Sequence, residues 1–369
     1  MNNKIFFLLN LLQDFYIIRK LIYLYNDDTQ YNLELLITKG FFKRDKNLNL
    51  SKEVDLIKKD INIKTYTIDS KIELFNKFNN VNKGVLIAAS ESTLDAHNET
   101  SSIMKICRSN ITSITLQHGF ECVGFLQNQN HSLHHGSFIG FNADIVCGWL
   151  DKKYQRDLIN SSKSKYCALG HPAFINKTSK RNLNINLKKK NHIERPGLFC
   201  ENIHSARFLK SNKSIDQFLN DFLSLAKLLD QEGKKIAIRP HPAGRFKKSI
   251  TMKPLELPEN VLIESSPSHK VDWSSYSYGI SAPSSVVFDM YLSGIPVCLW
   301  SDSMLSVDIS QFKSFPIATS VDELFSFCLY HDNLPENMNY EQINSMLDII
   351  NKGNIGENYL TLIHTIFVN

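Results

Sequence analysis

Short apolar runs alternate with segments of helical period along both halves of the chain, and this alternation specifies parallel sheets covered on both faces by helices. The fold class is therefore α/β. In the first half the spacing predicts strands at 4–10, 33–38, 64–68, 85–89, 113–116, 144–147 and 166–169. The apolar start at 5–12 is interrupted by Asp14, Arg19 and Lys20 and has no small-residue cleavage site after it. It reads as a buried strand followed by an amphipathic helix, not as a leader. The second half restarts with a strand at 197–200 and a helix over 215–231. That helix carries Phe218, Phe222, Leu225 and Leu229 on one face and is closed by Gly233. Strands at 235–239, 261–264, 278–281 and 296–300 follow, with a helix at 285–293 between the last two, and 340–367 reads as one or two helices.

A length of 369 residues suits two domains. The boundary falls at the Asn- and Lys-rich segment 176–195, which lacks apolar periodicity. The expected organisation is a Rossmann-like domain over 1–175, a linker at 176–195 and a second Rossmann-like domain over 196–344. A C-terminal helix within 345–369 is expected to pack back on the first domain.

Composition narrows the function classes. The formal charge of +5 is far below the dense basic stripe of a nucleic-acid binder, and fits an anionic small substrate or an acidic membrane surface. Seven cysteines without a C-x-x-C pair indicate neither a disulfide framework nor a zinc site and suit a reducing, cytoplasmic compartment. His131, His134 and His135 lack nearby carboxylate or thiol partners, and no D-x-D pattern is present, so no metal is expected.

Chemistry-bearing residues gather at the strand ends, where open α/β sheets bind ligands. Arg239-Pro240-His241-Pro242 fixes a guanidinium and an imidazole between prolines, although a rigid strand exit would use the same residues. Pro283-Ser284-Ser285 opens a helix whose hydroxyls and free N–H groups would cradle a phosphate; plain N-capping by Ser284 uses the same atoms. Gln117-His118-Gly119 ends a first-domain strand, with Glu121 two residues beyond as a candidate base. The polar run Glu201, Asn202, His204 and Arg207 follows the first strand of the second domain. Glu91 and Asp95 follow the 85–89 strand at helix-start spacing, where capping is the plain alternative. Gly170-His171-Pro172 reads as structural or hinge.

Taken together, Gln117-His118-Gly119, Arg239-Pro240-His241-Pro242 and the run from Pro283 to Asp289 resemble GT-B transferases of bacterial capsule, O-antigen and lipopolysaccharide assembly that carry His-Pro and Ser-Ser motifs. The group includes Kdo transferases, bacterial sialyltransferases and polysialyltransferases. More distantly it includes CDP-glycerol glycerophosphotransferases, which usually carry W-H-G-T where this chain has Gln117-His118-Gly119-Phe120. The resemblance implies two Rossmann-like domains facing each other across a cleft. It places His241 and Pro242 against a cytidine nucleotide and Ser284 and Ser285 on its phosphate. The donor it implies is a CMP-activated 2-keto sugar acid of the Kdo or sialic-acid kind, with no further cofactor. The implied acceptor is a lipid-linked glycan reached at the cytoplasmic face of the inner membrane. The reaction needs a base or a nucleophile, for which Glu121 and Glu201 come first and Asp95 third, with His118 beside them; Arg207, Arg239 and His241 would neutralise the leaving nucleotide. A polyol-phosphate transferase, a UDP-sugar 2-epimerase and a non-catalytic sugar-nucleotide-binding subunit stand as alternatives.

Overall fold

The computed structural model describes residues 3–28, 30–45, 50–61, 63–107, 109–175, 195–202, 212–241, 246, 257–267, 270–302, 307–331 and 353–368. The proposed linker, apart from Arg195, and the candidates His204, Arg207 and Pro242 lie outside these residues. The chain forms two compact units. One comprises Met1–Gln127, His135–Lys180 and Met346–Asn369, and the other Asn128–His134 and Arg181–Ser345.

The first unit holds seven parallel strands: β1 (Asn3–Leu9), β2 (Tyr31–Thr38), β3 (Lys64–Ile68), β4 (Gly84–Ala88), β5 (Ile111–Leu116), β6 (Ile145–Gly148) and β7 (Tyr166–Ala168). Their order across the sheet is β3-β2-β1-β4-β5-β6-β7. The central strands are continuous apolar runs because helices cover both faces: Ile5 through Leu8 and Val85 through Leu86 have no exposed surface. Burying each large side chain of this kind contributes about 1.5–3 kcal/mol. The outermost β3 is largely exposed and carries Lys64, Thr65 and Thr67, as an edge strand should. The C-terminal helix Ile355–Val368 belongs to this unit. Tyr25 Oη donates to Tyr359 O at 3.1 Å, and Tyr359 Oη donates to Gly170 O at 3.2 Å.

One buried charge secures the amino-terminal side of this sheet. Glu34, on β2, meets Lys4 Nζ at 2.8 Å and Lys77 Nζ at 2.6 Å, and its carboxylate is nearly sealed from solvent. Burial works against the charge, but the two lysines outweigh it and hold Glu34 below its ordinary 4.5. Removing one member of a buried ion pair strands the others, so Glu34→Gln should cost about 2–4 kcal/mol at pH 7. Because the folded pKa is depressed, this stabilisation is present above pH 4.5 and is lost as pH falls through the folded value. Urea midpoints of wild type and variant should therefore differ at pH 7 and converge in acid.

The second unit holds six parallel strands among the described residues: β8 (Gly197–Cys200), β9 (Ile236–Arg239), β10 (Val261–Ile263), β11 (Gly279–Ser281), β12 (Val297–Trp300) and β13 (Ile317–Ala318), in the order β10-β9-β8-β11-β12-β13. The helix Asn212–Gln231 turns Phe218, Phe222, Leu225 and Leu229 fully inward, the face its 3.6-residue period predicts. It ends at Gly233, whose φ of 66° is the left-handed value a helix C-terminus requires, with Lys234 N donating to Leu229 O at 2.8 Å. Trp300 Nε1 donates to Asp221 on this helix at 2.9 Å, joining the core to the helix by a buried polar bond.

The predicted strands all form. Their ends shift by one or two residues. Sequence periodicity missed the two-residue β13 and the helix Val321–Tyr330 beside it, the first being too short to show a period. Residues 340–352 of the tail lie outside the described residues.

Candidate functional site

Both sheets share a topology in which the chain winds outward on one side of the first strand and then crosses to the other. The reversal falls between β1 and β4 in the first unit and between β8 and β11 in the second. Ligands of open α/β sheets bind at the carboxyl ends of the strands flanking such a switch point. Most of the sequence candidates within the described residues lie at or beside these ends.

In the first unit, β1 runs into Asn10 and the helix Leu12–Asn26. Asp14, in the first turn of that helix, is fully buried, and its Oδ2 accepts from Asn10 N at 2.9 Å and Leu11 N at 2.7 Å. Burial raises the Asp14 pKa, opposed in part by the two amides. Across the switch point β4 leads into Ala89 and Ser90, and β5 into Gln117 and His118. The His118 ring is partly exposed, and its Nδ1 lies 3.3 Å from Ala89 O. A carbonyl only accepts, so Nδ1 carries the proton. Cys122 Sγ sits 3.5 Å from His118 Nδ1 and 3.7 Å from Nε2. Burial works against the imidazolium, but Cys122, Asp14 and the Ala89 carbonyl outweigh it and raise His118 to about 9.

His97 meets the His118 ring edge-on at 5.7 Å between centroids, and its Nδ1 is 2.7 Å from Ser92 Oγ. Burial, then the nearby His118 and His135, push His97 down to about 3, so it is neutral at physiological pH. The pair thus divides the charge: His118 holds a proton and His97 does not.

Gln117 is a framework residue. Its side chain is fully buried, Nε2 donates to Gly119 O at 2.8 Å and Phe120 O at 3.0 Å, and Oε1 accepts from Trp149 N and Gln155 Nε2. Those bonds shape the His118-Gly119 turn. Glu121 follows on the same loop, half-buried, one residue before Cys122. Glu91 is buried and its Oε1 accepts from Asn142 N at 2.9 Å, which makes it a loop anchor and not a helix cap. Asp95 is exposed in the single turn Asp95–His97. His171 stacks on Trp149 at 3.7 Å between ring centres after Gly170, whose φ is 87°.

In the second unit Glu201 directly follows β8 and is 3% exposed. Its Oε2 accepts from His241 N at 3.0 Å and its Oε1 from Phe246 N at 3.0 Å. One carboxylate thereby holds the backbone of both His241, just after β9, and Phe246. Asn202 Nδ2 donates to Pro283 O at 3.0 Å, crossing the switch point to the turn after β11. Ser284 Oγ accepts from Val286 N at 3.4 Å, and Ser285 immediately precedes the helix Val286–Leu292. Arg239 donates from Nη2 to Ser266 O at 3.3 Å, with its guanidinium 5.7 Å from the Trp273 ring centre. For Glu264, burial is outweighed by hydrogen bonds from Tyr276 and Ser266 and by the Arg239 charge, which hold it below its ordinary value. Described residues His241, Pro283, Ser284, Ser285, Asn202 and Glu201 therefore come together at one edge.

His97 and Cys122 were missed as neighbours of the His118 ring. The signal available was weak, a buried histidine in a single turn and a cysteine four residues beyond His118 in sequence.

No family model matches the chain, and no curated protein matches it. Solved structures share its fold over the full length. A UDP-GlcNAc 2-epimerase from Methanocaldococcus jannaschii aligns with 99% of this chain and 100% of its own at 11% identity and a TM-score of 0.58. The UDP-GlcNAc 2-epimerase from Neisseria meningitidis, solved with UDP-GlcNAc bound, covers 100% of both chains at 12% identity and a TM-score of 0.53. A glycosyltransferase from Rickettsia africae covers 100% of this chain and 99% of its own at 11% identity and a TM-score of 0.53. The two parallel-sheet α/β units have the GT-B-like fold of these enzymes.

Proposed function

We propose that this chain is a glycosyltransferase that draws its sugar from a nucleotide-activated donor. The observation that carries the reading is the second unit's switch point. There Glu201 holds the backbone of His241 and Phe246 and Asn202 holds the Pro283 carbonyl, so these groups are positioned before any ligand arrives. Arg239 and His241, with the adjoining Pro242, and the Ser284-Ser285 turn supply the groups a nucleotide phosphate uses. The use of the same fold by nucleotide-sugar epimerases and glycosyltransferases supports this reading.

In the transfer an acceptor hydroxyl oxygen attacks the anomeric carbon and the bond from that carbon to the phosphate oxygen breaks. The nucleotide leaves with the bonding electrons, and the acceptor proton passes to a protein group. His118, already protonated at physiological pH, is the acid group we assign in the first unit, and Glu121 is the nearby carboxylate to take the acceptor proton or, if the route runs through a glycosyl-enzyme, to form it. Glu201, with both oxygens on backbone amides, is a positioning residue in this scheme. The motif resemblance favours a CMP-activated 2-keto sugar acid as donor and a lipid-linked glycan as acceptor, without a metal. Among the described residues no helix is long and apolar enough to cross a membrane.

A second reading, 2-epimerisation of a UDP-sugar, is favoured by the epimerases among the solved structures of this fold. Melting of the protein with CMP, CDP, UDP and GDP, each in EDTA and at about 100 times its Kd, separates the readings. A bound nucleotide then stabilises by about 2.7 kcal/mol, or several degrees. A shift specific to CMP supports the donor proposed, and CDP points to polyol-phosphate transfer. A UDP shift, with solvent deuterium entering the sugar, establishes the epimerase. No shift with any nucleotide overturns the nucleotide-sugar reading.

A further inference from the structure

We propose that Cys122 is a histidine-activated thiol, a site that hydrogen peroxide oxidises reversibly, with His118 as its base. The consequence for catalysis rests on the transferase reading above; the reactivity of the thiol rests on the protein alone.

Two neighbouring strand ends build the pair. β4 and β5 run side by side, so the chain just past β4 presents the Ala89 carbonyl to the His118 ring just past β5, 3.3 Å from Nδ1. The Nδ1–H donates to that carbonyl, which leaves Nε2 as the basic nitrogen of the neutral ring. Cys122 Sγ lies 3.7 Å from Nε2 and 3.5 Å from Nδ1. Its backbone is fixed: Cys122 N donates to Leu126 O at 2.9 Å and Leu126 N donates back to Cys122 O at 3.0 Å, around Gly124 with its φ of 77°. A nucleophile, a base within reach of it and a third group that orients the base are the parts of an activated nucleophile. Transfer of the thiol proton to Nε2 leaves a thiolate beside two ring N–H groups, and the thiolate is the reactive form of cysteine.

The other titratable groups around the ring are His97, edge-on from the turn after β4, and Asp14, whose charge acts from the helix after β1; Glu121 precedes Cys122 in the chain. His97 is driven neutral, whereas Cys122 leads the influences that raise His118 to about 9. Burial raises the thiols of the other six cysteines, that of half-buried Cys107 to about 12. Cys122 also packs with Phe125 and Phe141. A cysteine that only filled this space would be inert, so reactivity is the readout.

In the reaction the thiolate attacks one peroxide oxygen and the O–O bond breaks. Sulfur is oxidised to a sulfenic acid; the other oxygen is reduced, leaves as hydroxide and takes the Nε2 proton to become water. His118 is left neutral, without the proton the leaving nucleotide uses. Two equivalents of a small thiol return Cys122 to its thiol and release water and the disulfide of the reductant.

For the test, full-length wild type and His118→Gln are treated at pH 7 with iodoacetamide, or with hydrogen peroxide and a sulfenic-acid trap, and each cysteine is followed by peptide mass spectrometry. Cys122 should react at least about ten times faster than Cys107 and Cys167, although both are more exposed. His118→Gln, which keeps an N–H for Ala89 O, should slow Cys122 at least about tenfold and leave Cys107 and Cys167 unchanged. Peroxide should lower wild-type turnover, a small thiol should restore it, and Cys122→Ser should hold its own untreated rate in peroxide. Cys107 or Cys167 reacting ahead of Cys122 in the wild type overturns the proposal, whether or not His118→Gln folds. So does a Cys122 that reacts equally fast without His118. If Cys122 reacts as expected but no nucleotide sugar is turned over, the thiol pair stands and the transferase reading falls.

Discussion

Glu201→Ala should cost the protein about 3–5 kcal/mol and abolish nucleotide binding, whereas Glu201→Gln should keep the fold and lose part of both. Two backbone N–H groups, of His241 and Phe246, depend on this carboxylate at 3.0 Å each, and the Phe246 contact is buried. Hydrogen bonds to a charged acceptor contribute about 1.5–3 kcal/mol apiece, and leaving a buried donor unpaired adds its desolvation cost. Alanine removes both acceptors. Glutamine keeps one oxygen for one amide and turns an NH2 donor toward the other, so its loss should be roughly half. The alternative, in which Glu201 is the nucleophile or base, makes the opposite forecast for glutamine: wild-type melting, wild-type nucleotide affinity and no turnover. Calorimetric nucleotide titration beside a melting curve distinguishes them, and unchanged binding in Glu201→Gln would return this residue to the catalytic list.

The same residue shows where sequence reading stops. A carboxylate just past a strand presents the same sequence signal whether it attacks a sugar or clamps a loop. What separates the roles is which N–H groups meet it, and here they come from residues 40 and 45 positions away. Gln117 repeats the lesson: its position beside His118 reads as a ligand contact, yet every polar atom of its side chain that forms the turn points into the protein. Asp95, chosen for its spacing, lies exposed beside the buried His97.

The fold was far more legible, for a physical reason. Central strands such as β1 and β4 are buried on both faces and must be apolar throughout, and the helix Asn212–Gln231 must bury one stripe, so both leave their period in the chain. His118 had no such trace. Its ring meets the Ala89 carbonyl, 29 positions away, only because the sheet places β5 beside β4. Strand order is set by crossover connections that local composition does not encode.

His118→Gln should reduce kcat by about 10²–10⁴ while leaving nucleotide affinity at its wild-type value. Glutamine retains an N–H to donate to Ala89 O, so the loop keeps that contact, but an amide does not exchange protons at physiological pH. Nucleotide binding is expected to survive because the groups assigned to it belong to the second unit. The pH profile gives a second check. Cys122, whose sulfur lies 3.5 Å from Nδ1, heads the influences that raise His118 to about 9, so the protonated ring persists through neutral pH. If His118 acts as an acid, wild-type kcat should fall as pH rises through about 9, and His118→Gln should lose that limb. A wild-type profile flat through that range would remove His118 from the acid role.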